Sequence, residues 1–340
     1  MPLPPPLTLV AVDPDDEAAL RARFALAVAA GAADRPEGPP PSLRQHLAGL
    51  RHPYPGTRTS VWLARHRDEV VGEAVLGLPT LDNLDNAFAE VVVAPARRRA
   101  GIGRALLHHL AVQARDAGRI RLIGEACAAD LDGHPGPGEE FVVAAGATPV
   151  LAQTCRRLPL PPDEAAAARL GSAARPAGGD YELVQWTGRT PDRWVDDIAE
   201  LTARMSTDAP LDDLHLAPEV YDTARIRTRD DARRACGLHG VVTAALHRRS
   251  GRLVGFTDIL VRCDVPWHGG QSDTIVARAH RGHRLGIRMK VANLELARRE
   301  QPSLTAVDTW NADSNPWMVA INEAMGFRPL RRWTEWELEL

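Results

Sequence analysis

Between Phe88 and Leu110 the chain reads FAEVVVAPARRRAGIGRALLHHL. An apolar run, Val91-Val92-Val93, gives way to Pro95 and three consecutive arginines. Gly101 and Gly103 follow, ahead of an amphipathic pattern with Ile102, Leu106, Leu107 and Leu110 on one side. That order spells strand, turn, helix. Glycines at 101 and 103 permit backbone conformations that a Cβ would penalise, so several amides from Arg99 and Ala100 onward can converge on one anion. The positive end of the helix dipole points at the same place, and Arg98, Arg99 and Arg104 add charge around it. The chemistry this predicts is pyrophosphate binding. There is no Gly-Lys-Ser/Thr of a P-loop NTPase and no third glycine for the dinucleotide fingerprint; the pattern is Arg-x-x-Gly-x-Gly, read at Arg98, Gly101 and Gly103. The competing reading is a solvated basic turn before an ordinary surface helix.

With Val93-Ala94-Pro95 just upstream, the pattern resembles the cofactor signature of the GNAT superfamily of acyl-CoA-dependent N-acyltransferases. The resemblance implies that residues 98–104 hold the pyrophosphate of acetyl-CoA and that the strand carrying Val91 and Val93 pairs with its pantetheine arm. It also implies an α/β (α+β) fold: a mixed, mostly antiparallel twisted sheet flanked by helices and splayed between its fourth and fifth strands.

At 340 residues the chain is comfortable for two domains. Its net charge of −3 argues against a nucleic-acid binder. Lys290 is its one lysine, so the positive charge is otherwise arginine. Cys127, Cys155, Cys236 and Cys263 are scattered, without a C-x-x-C pair, which suits a reducing cytosol. MPLPPPLTLV has neither a basic region nor a long apolar segment, so a cytoplasmic protein without a signal peptide or membrane span is expected.

Taken in order, the chain predicts a strand at Leu7–Val12, helices over Ala18–Ala30 and Ser42–Leu50, and a hairpin of Ser60–Arg65 with Val70–Leu76. Residues 121–125 and 148–158 read as further strands, and 159–180 as a linker, part helical over Asp163–Leu170. Then the chain starts again. A strand at Tyr181–Trp186 leads to helices over Pro191–Met205 and Leu216–Cys236 and a hairpin of Val241–Leu246 with Leu253–Val261. Gly72 and Gly255 are 183 apart, and so are Val93 and Val276, Arg98 and Arg281, Gly103 and Gly286, Glu125 and Asp308. A constant offset over such a span is an internal repeat. The expected organisation is an N-terminal domain over 1–158 and a C-terminal one over 181–340.

The second loop, Thr274 to Gly286 with Val276, Arg281, Gly282, His283, Arg284 and Leu285, looks like the form seen in actinobacterial tandem members of the superfamily. So does the stretch from Trp310 to Phe327. The tandem is similar in architecture to the mycothiol synthases, and no residue ties the chain to them in particular. Arg284 replaces the first glycine, and its bulk is expected to narrow the second loop.

Amine acylation needs a polarised thioester, a base for the ammonium proton and help for the leaving thiolate. Many members of the superfamily place a tyrosine for the last role where this chain has Val142 and Asn322. Candidate bases are Glu90 and Asp273, each eight residues before its arginine, and the pair Glu125 and Asp308. For each the competing reading, and the more common one, is a solvated or salt-bridged strand carboxylate. Asn311, Asn315 and Asn322 cluster after the second copy's fifth strand; Asn315 matches a family asparagine that contacts pantetheine or positions the acetyl group, and helix capping is its rival reading. His280 and His283 are read as phosphate hydrogen-bonders, not metal ligands, because no third ligand is in sight. Acceptor pockets are expected from residues 31–58 and 206–236, the latter made acidic by Asp208, Asp212, Asp213 and Glu219.

The function this implies is transfer of an acetyl group from acetyl-CoA to a primary amine of a small molecule, by a monomer or homodimer, with Glu90, Asp273, Asp308 and Asn322 as candidate catalytic residues. The first copy is expected to be the tighter cofactor binder. The alternative is a non-catalytic acyl-CoA-binding or ligand-sensing tandem module.

Overall fold

Elements of the first half follow from the local chemistry. Asp16 caps α1 (Glu17–Asp34) by accepting from Ala19 N, and the helix runs through Gly31 to Asp34, past the expected end at Ala30. Ser42 likewise caps α2 (Leu43–Ala48). These helices lie between β1 (Leu7–Ala11) and a hairpin of β2 (Thr57–His66) with β3 (Glu69–Pro79). After β4 (Asn86–Val93) come α3 (Ile102–Asp116), β5 (Arg121–Cys127), α4 (Pro137–Ala144) and β6 (Thr148–Pro159). The computed structural model describes residues 7–162, 179–208 and 210–340; the helix expected over Asp163–Leu170 lies outside these.

The second half repeats the series with β7 (Tyr181–Thr187), α5 (Val195–Asp208), α6 (Thr223–Ala235), β8 (Leu238–His247), β9 (Arg252–Arg262) and β10 (Val265–Val276). It ends with α7 (Leu285–Glu300), β11 (Ala306–Ala312), α8 (Pro316–Met325) and β12 (Arg328–Glu339). Helix α6 is shorter than the expected Leu216–Cys236. Asp222 caps it from an extended conformation, accepting from Arg225 N, so residues 216–222 precede the helix.

Two compact units result, and they do not follow chain order. The first comprises Met1–Ala152, Asp212–His215 and Arg331–Leu340, and the second Gln153–Leu211 and Leu216–Leu330. Among the described residues each has six strands, ordered β1-β2-β3-β4-β5-β12 in the first and β7-β8-β9-β10-β11-β6 in the second. The last strand of each half thus completes the sheet of the other. Strand β12 pairs antiparallel with β5, from Trp333 opposite Cys127 to Glu339 opposite Arg121. Glu337 on β12 also takes a hydrogen bond from the His215 amide at 2.7 Å, within the first unit. In the second unit β6 pairs with β11, from Ala306 opposite Pro159 to Ala312 opposite Gln153.

In the first unit α3 lays Leu106, Leu110 and Ala114 on Ala74, Leu76, Ala87 and Leu122. In the second, α7 lays Val291, Leu294 and Ala297 on Ile259, Val261 and Val307, while Ile198 and Leu201 of α5 pack with Phe256 and Ile275. The repeated glycines mark where helix meets strand. A Cβ at Gly72 would come 2.9 Å from Leu106 Cδ1, and one at Gly255 2.6 Å from the Ile275 carbonyl oxygen and 3.2 Å from Met289 Cε.

The one lysine sits inside. Lys290 is 1% exposed, its Nζ lies 5.4 Å from the Phe327 ring centroid, and burial lowers its pKa to about 7. The position 183 residues earlier is Leu107. A folded-state pKa below the unfolded one means that the unfolded chain binds the extra proton between about pH 7 and the ordinary lysine value. Stability therefore climbs with pH across that window, by up to ~1.4 kcal/mol per pH unit. Lys290→Leu is expected to raise stability at pH 7 and to abolish this climb. Equal pH dependence of urea unfolding in the two proteins would show that Lys290 is charged in the fold.

Candidate active site

Helix α3 begins on Gly101, which is left-handed at φ 82°, and no side chain caps it. Its first-turn amides therefore point outward without an intrahelical partner. Two residues before Gly101, Arg99 is also left-handed, at φ 63°. In the second unit the same two positions are left-handed again, at Gly282 (φ 86°) and Arg284 (φ 57°), and α7 too starts without a side-chain cap. The glycine and the arginine have exchanged places while the backbone path is kept. The expected narrowing by Arg284 is therefore absent, since its side chain is exposed; the cost is the ~1–2 kcal/mol of a non-glycine left-handed residue. Packing is tight at Gly103 and ordinary at Gly286. A Cβ at Gly103 would sit 3.2 Å from the Phe141 ring, and one at Gly286 3.7 Å from Ile321.

Arg98 turns away from this loop. Its guanidinium grips Asp34 at the end of α1 through two hydrogen bonds of 2.6 and 2.7 Å, and its Nε donates to the Val93 carbonyl. Arg281 repeats the arrangement, donating to Asp208 at 2.7 Å and to the Val276 carbonyl at 3.1 Å. Both arginines clamp the end of a helix to the exit of a strand. The charge expected of them at the loop is thus already paired, while Arg99, Arg104 and Arg284 are exposed nearby. Ala100→Asp would place a carboxylate among those amides, at an exposed position free of the left-handed strain. It is expected to weaken acetyl-CoA binding at the first loop at least tenfold, about the worth of one charge-assisted hydrogen bond. Unchanged affinity and stoichiometry by calorimetry would remove the loop from the site.

Beside each loop the sheet opens. Strands β4 and β5 run parallel and pair only from Asn86/Arg121 to Phe88/Ile123, while β4 continues along β3 as far as Val93 opposite Gly72. The other edge of β4 around Val91 and Val93 has no strand partner among the described residues. An extended amide-bearing arm can add there as a strand would. Gly124 lies at the branch point, where a Cβ would come 2.8 Å from the Ala89 carbonyl oxygen. Strands β10 and β11 diverge likewise after Gln271/Thr309.

The carboxylates separate into usable and closed. Glu90 is exposed at the first fork. Glu125 also reaches solvent, and its carboxyl is raised by the desolvating walls around it and by Glu90, with Arg35 opposing. Asp273, partly exposed at the second fork, is pushed up to about 6 by burial and then by Asp258, with Arg233 and Arg229 opposing and Glu219 adding. Asp308 is closed: it is 2% exposed, both its oxygens take hydrogen bonds from Arg157, at 2.6 and 2.7 Å, and His268 Nε2 lies 2.8 Å away. Burial works to raise its carboxyl, yet the hydrogen bonds from Arg157 and His268 outweigh this and hold it below its ordinary value. Nor is it the counterpart of Glu125. Strand β11 starts at Ala306 and β5 at Arg121, 185 apart instead of 183, which sets Trp310 at the position of Glu125.

The asparagines are structural in large part. Asn322 is fully buried and its Nδ2 donates to Asn311 Oδ1, so it does not face a fork as a catalytic group would. Asn315 caps α8 by accepting from Met318 N at 3.2 Å. His280 Nδ1 meets the Tyr181 hydroxyl at 3.0 Å, and the His283 ring lies tilted against the same ring, centroids 5.2 Å apart. Two carboxylates went unnoticed in the sequence. Glu73, lifted to about 7 by burial with Arg23 opposing, was signalled by one charge inside the apolar run of β3. Asp258 accepts the Asp273 amide at 2.8 Å and stands on β9 among apolar neighbours.

Uncapped left-handed loops beside forked parallel strands define an acyl-CoA-binding transferase fold, and known proteins bear this out. The model of the acetyltransferase (GNAT) domain matches residues 57–133. A tandem GNAT protein from the clavulanic acid biosynthesis pathway is 31% identical, over 98% of both chains, with a TM-score of 0.83. The fold is shared with a GCN5-related N-acetyltransferase from Sphaerobacter thermophilus (16% identity, 99% of this chain and 97% of that one, TM-score 0.66). It is shared also with the Saccharomyces cerevisiae N-myristoyltransferase with bound myristoyl-CoA (12%, 99% and 79%, 0.61). No curated protein matches. The chain belongs to the GNAT family, as a tandem member. Among the described residues no helix is long and apolar enough to cross a membrane.

Proposed function

We propose that this protein moves the acetyl group of acetyl-CoA to a primary amine of a small molecule, and that the second unit performs the transfer. The observation that carries this is Asp273, a carboxylate at the mouth of a fork whose pKa of about 6 suits a base at neutral pH. Acetyl-CoA supplies the activated acyl group, held by the amides at Gly282–Gly286 and along the open edge of β10. Asp273 takes the proton that the amine sheds as its C–N bond forms and the C–S bond breaks. With Val142 and Asn322 at the positions where a tyrosine acid would stand, water returns a proton to the leaving thiolate.

An open groove of about 1180 Å³ lies between α5 and residues 218–224, with Asp196, Glu200, Asp208, Glu219 and Asp222 on its walls. Glu219, on the groove wall, is also the least of the charges that raise the Asp273 carboxyl. The charge of the groove favours an ammonium over a neutral or acidic group at the entrance. Thiol release from acetyl-CoA across a panel of amines tests the proposal. Acetyl-CoA binding without release for any amine would leave the non-catalytic module instead.

One observation favours a second reading. The family model covers the first unit's fork and loop at residues 57–133, where Glu90 and Glu125 adjoin, so the transfer would belong there.

A further inference from the structure

Helices α7 and α8 each follow a strand of the parallel pair β10 and β11, so both start at the same end of the sheet, beside the second fork. Trp317, the second residue of α8, is 83% exposed there. We infer that its indole is a stacking platform for the adenine of coenzyme A, so that the second unit draws its acyl group from a nucleotide-bearing thioester and not from a pantetheine arm carried on a protein. This rests on an acyl-CoA donor at the second loop, as proposed above, and stands apart from the transfer itself.

Exposure singles the residue out. Of the eight tryptophans, six are buried or half-buried and Trp310 is 40% exposed. The backbone under Trp317 is well fixed: Asn315 caps α8 by accepting from Met318 N at 3.2 Å, and Pro316 opens the helix with its φ already set. A large apolar ring held bare on a fixed backbone can bind a flat partner at little cost in ordering.

The surroundings select that partner. Ile321, one turn further along α8, lies against the start of α7, where a Cβ on Gly286 would be 3.7 Å from Ile321 Cδ1. Side chains at i and i+4 share a flank of a helix and lean toward its start, so the indole projects about one turn, ~5 Å, past the level of Ile321. Helix α7 begins after Arg284 without a side-chain cap, which leaves its first-turn amides for a diphosphate. A diphosphate site with a bare aromatic ring beside it suits a nucleotide, since every nucleobase presents a flat face to an indole. The first unit lacks the platform. There Phe141 meets Gly103 as Ile321 meets Gly286, and the residue four before Phe141 is Pro137.

Calorimetry on the full chain compares coenzyme A with 4′-phosphopantetheine, which keeps the arm and one phosphate and lacks the adenosine half. Trp317→Ala leaves the core alone because so little of the ring is covered. It is expected to weaken coenzyme A at the second loop by roughly ten- to a hundredfold, the worth of one stacked base, and to leave 4′-phosphopantetheine unchanged. Trp317→Phe keeps most of the affinity. The emission of coenzyme A carrying the fluorescent base ethenoadenine is quenched on binding to the intact chain, and Trp317→Ala removes that quenching. Unchanged coenzyme A affinity in Trp317→Ala, or an equal loss for 4′-phosphopantetheine, overturns the platform. Adenine-dependent binding without any thiol release upholds it and counts against the proposed transfer alone; thiol release with coenzyme A affinity untouched by Trp317→Ala does the reverse.

Discussion

Residues 1–158 expressed alone are expected to show no cooperative thermal transition. The sheet of the first unit is completed by β12, and seven residues of β5, Arg121 to Cys127, lose their pairing partners without it. Leu338 and Leu340 leave the first core at the same time, and Trp336, 9% exposed in the intact chain, is lost with them. At ~1.5–3 kcal/mol for each buried large apolar side chain, the deficit approaches the whole stability of a domain, ~5–15 kcal/mol. Residues 181–340 fare no better alone. Leu158 and Leu160 belong to the second core, and without Arg157 the buried Asp308 keeps only His268, a loss of roughly 3–5 kcal/mol when a buried pair is broken. Co-expressing two pieces cut within 163–178 restores both sheets. Circular dichroism decides the matter: a cooperative melt of 1–158 at the temperature of the intact chain would show that the strand exchange does not hold the fold together.

Asp273→Asn is expected to lower turnover by ~10²–10⁴, the usual contribution of a general base, with little effect on acetyl-CoA affinity. Only the ionised carboxylate accepts a proton, so kcat/KM rises with pH to about 6 and is level above it. The asparagine variant loses that limb. Asp258 is among the causes of the raised pKa, and Asp258→Asn therefore shifts the limb to lower pH. A limb unmoved by either substitution would assign the titration to another group.

Much of this was legible in the sequence because local rules govern it. The left-handed turn into an uncapped helix is a matter of glycine and helix start, and the repeat is a matter of counting. What escaped depended on partners distant in the chain. Nothing near Arg98 announces Asp34, 64 residues away, so its charge reads as available when it is already paired. The offset of 183 that correctly links Gly72 with Gly255 fails for Glu125 and Asp308, because α7 and the turn after it are each one residue longer than α3 and its own turn. Arg284 reads as an obstruction because residue type suggests volume; the backbone instead accepts a left-handed arginine and directs the side chain outward. Asn322 carries a family position but has a buried hydrogen bond to Asn311. The strand exchange is invisible to any reading in chain order, since β6 and β12 have the expected positions in sequence and differ only in which sheet they complete.

Charge reversal at Arg98 or Arg281 would not decide which unit transfers the acyl group, since both side chains hold helix ends in place. Neutralising the carboxylates at the two forks does. The most direct measurement is thiol release from saturating acetyl-CoA with one accepted amine, compared between Asp273→Asn and Glu125→Gln at pH 7.5. Asp273→Asn is expected to lose nearly all release and Glu125→Gln to keep near-normal release; release abolished by Glu125→Gln and preserved in Asp273→Asn would move the reaction to the first unit.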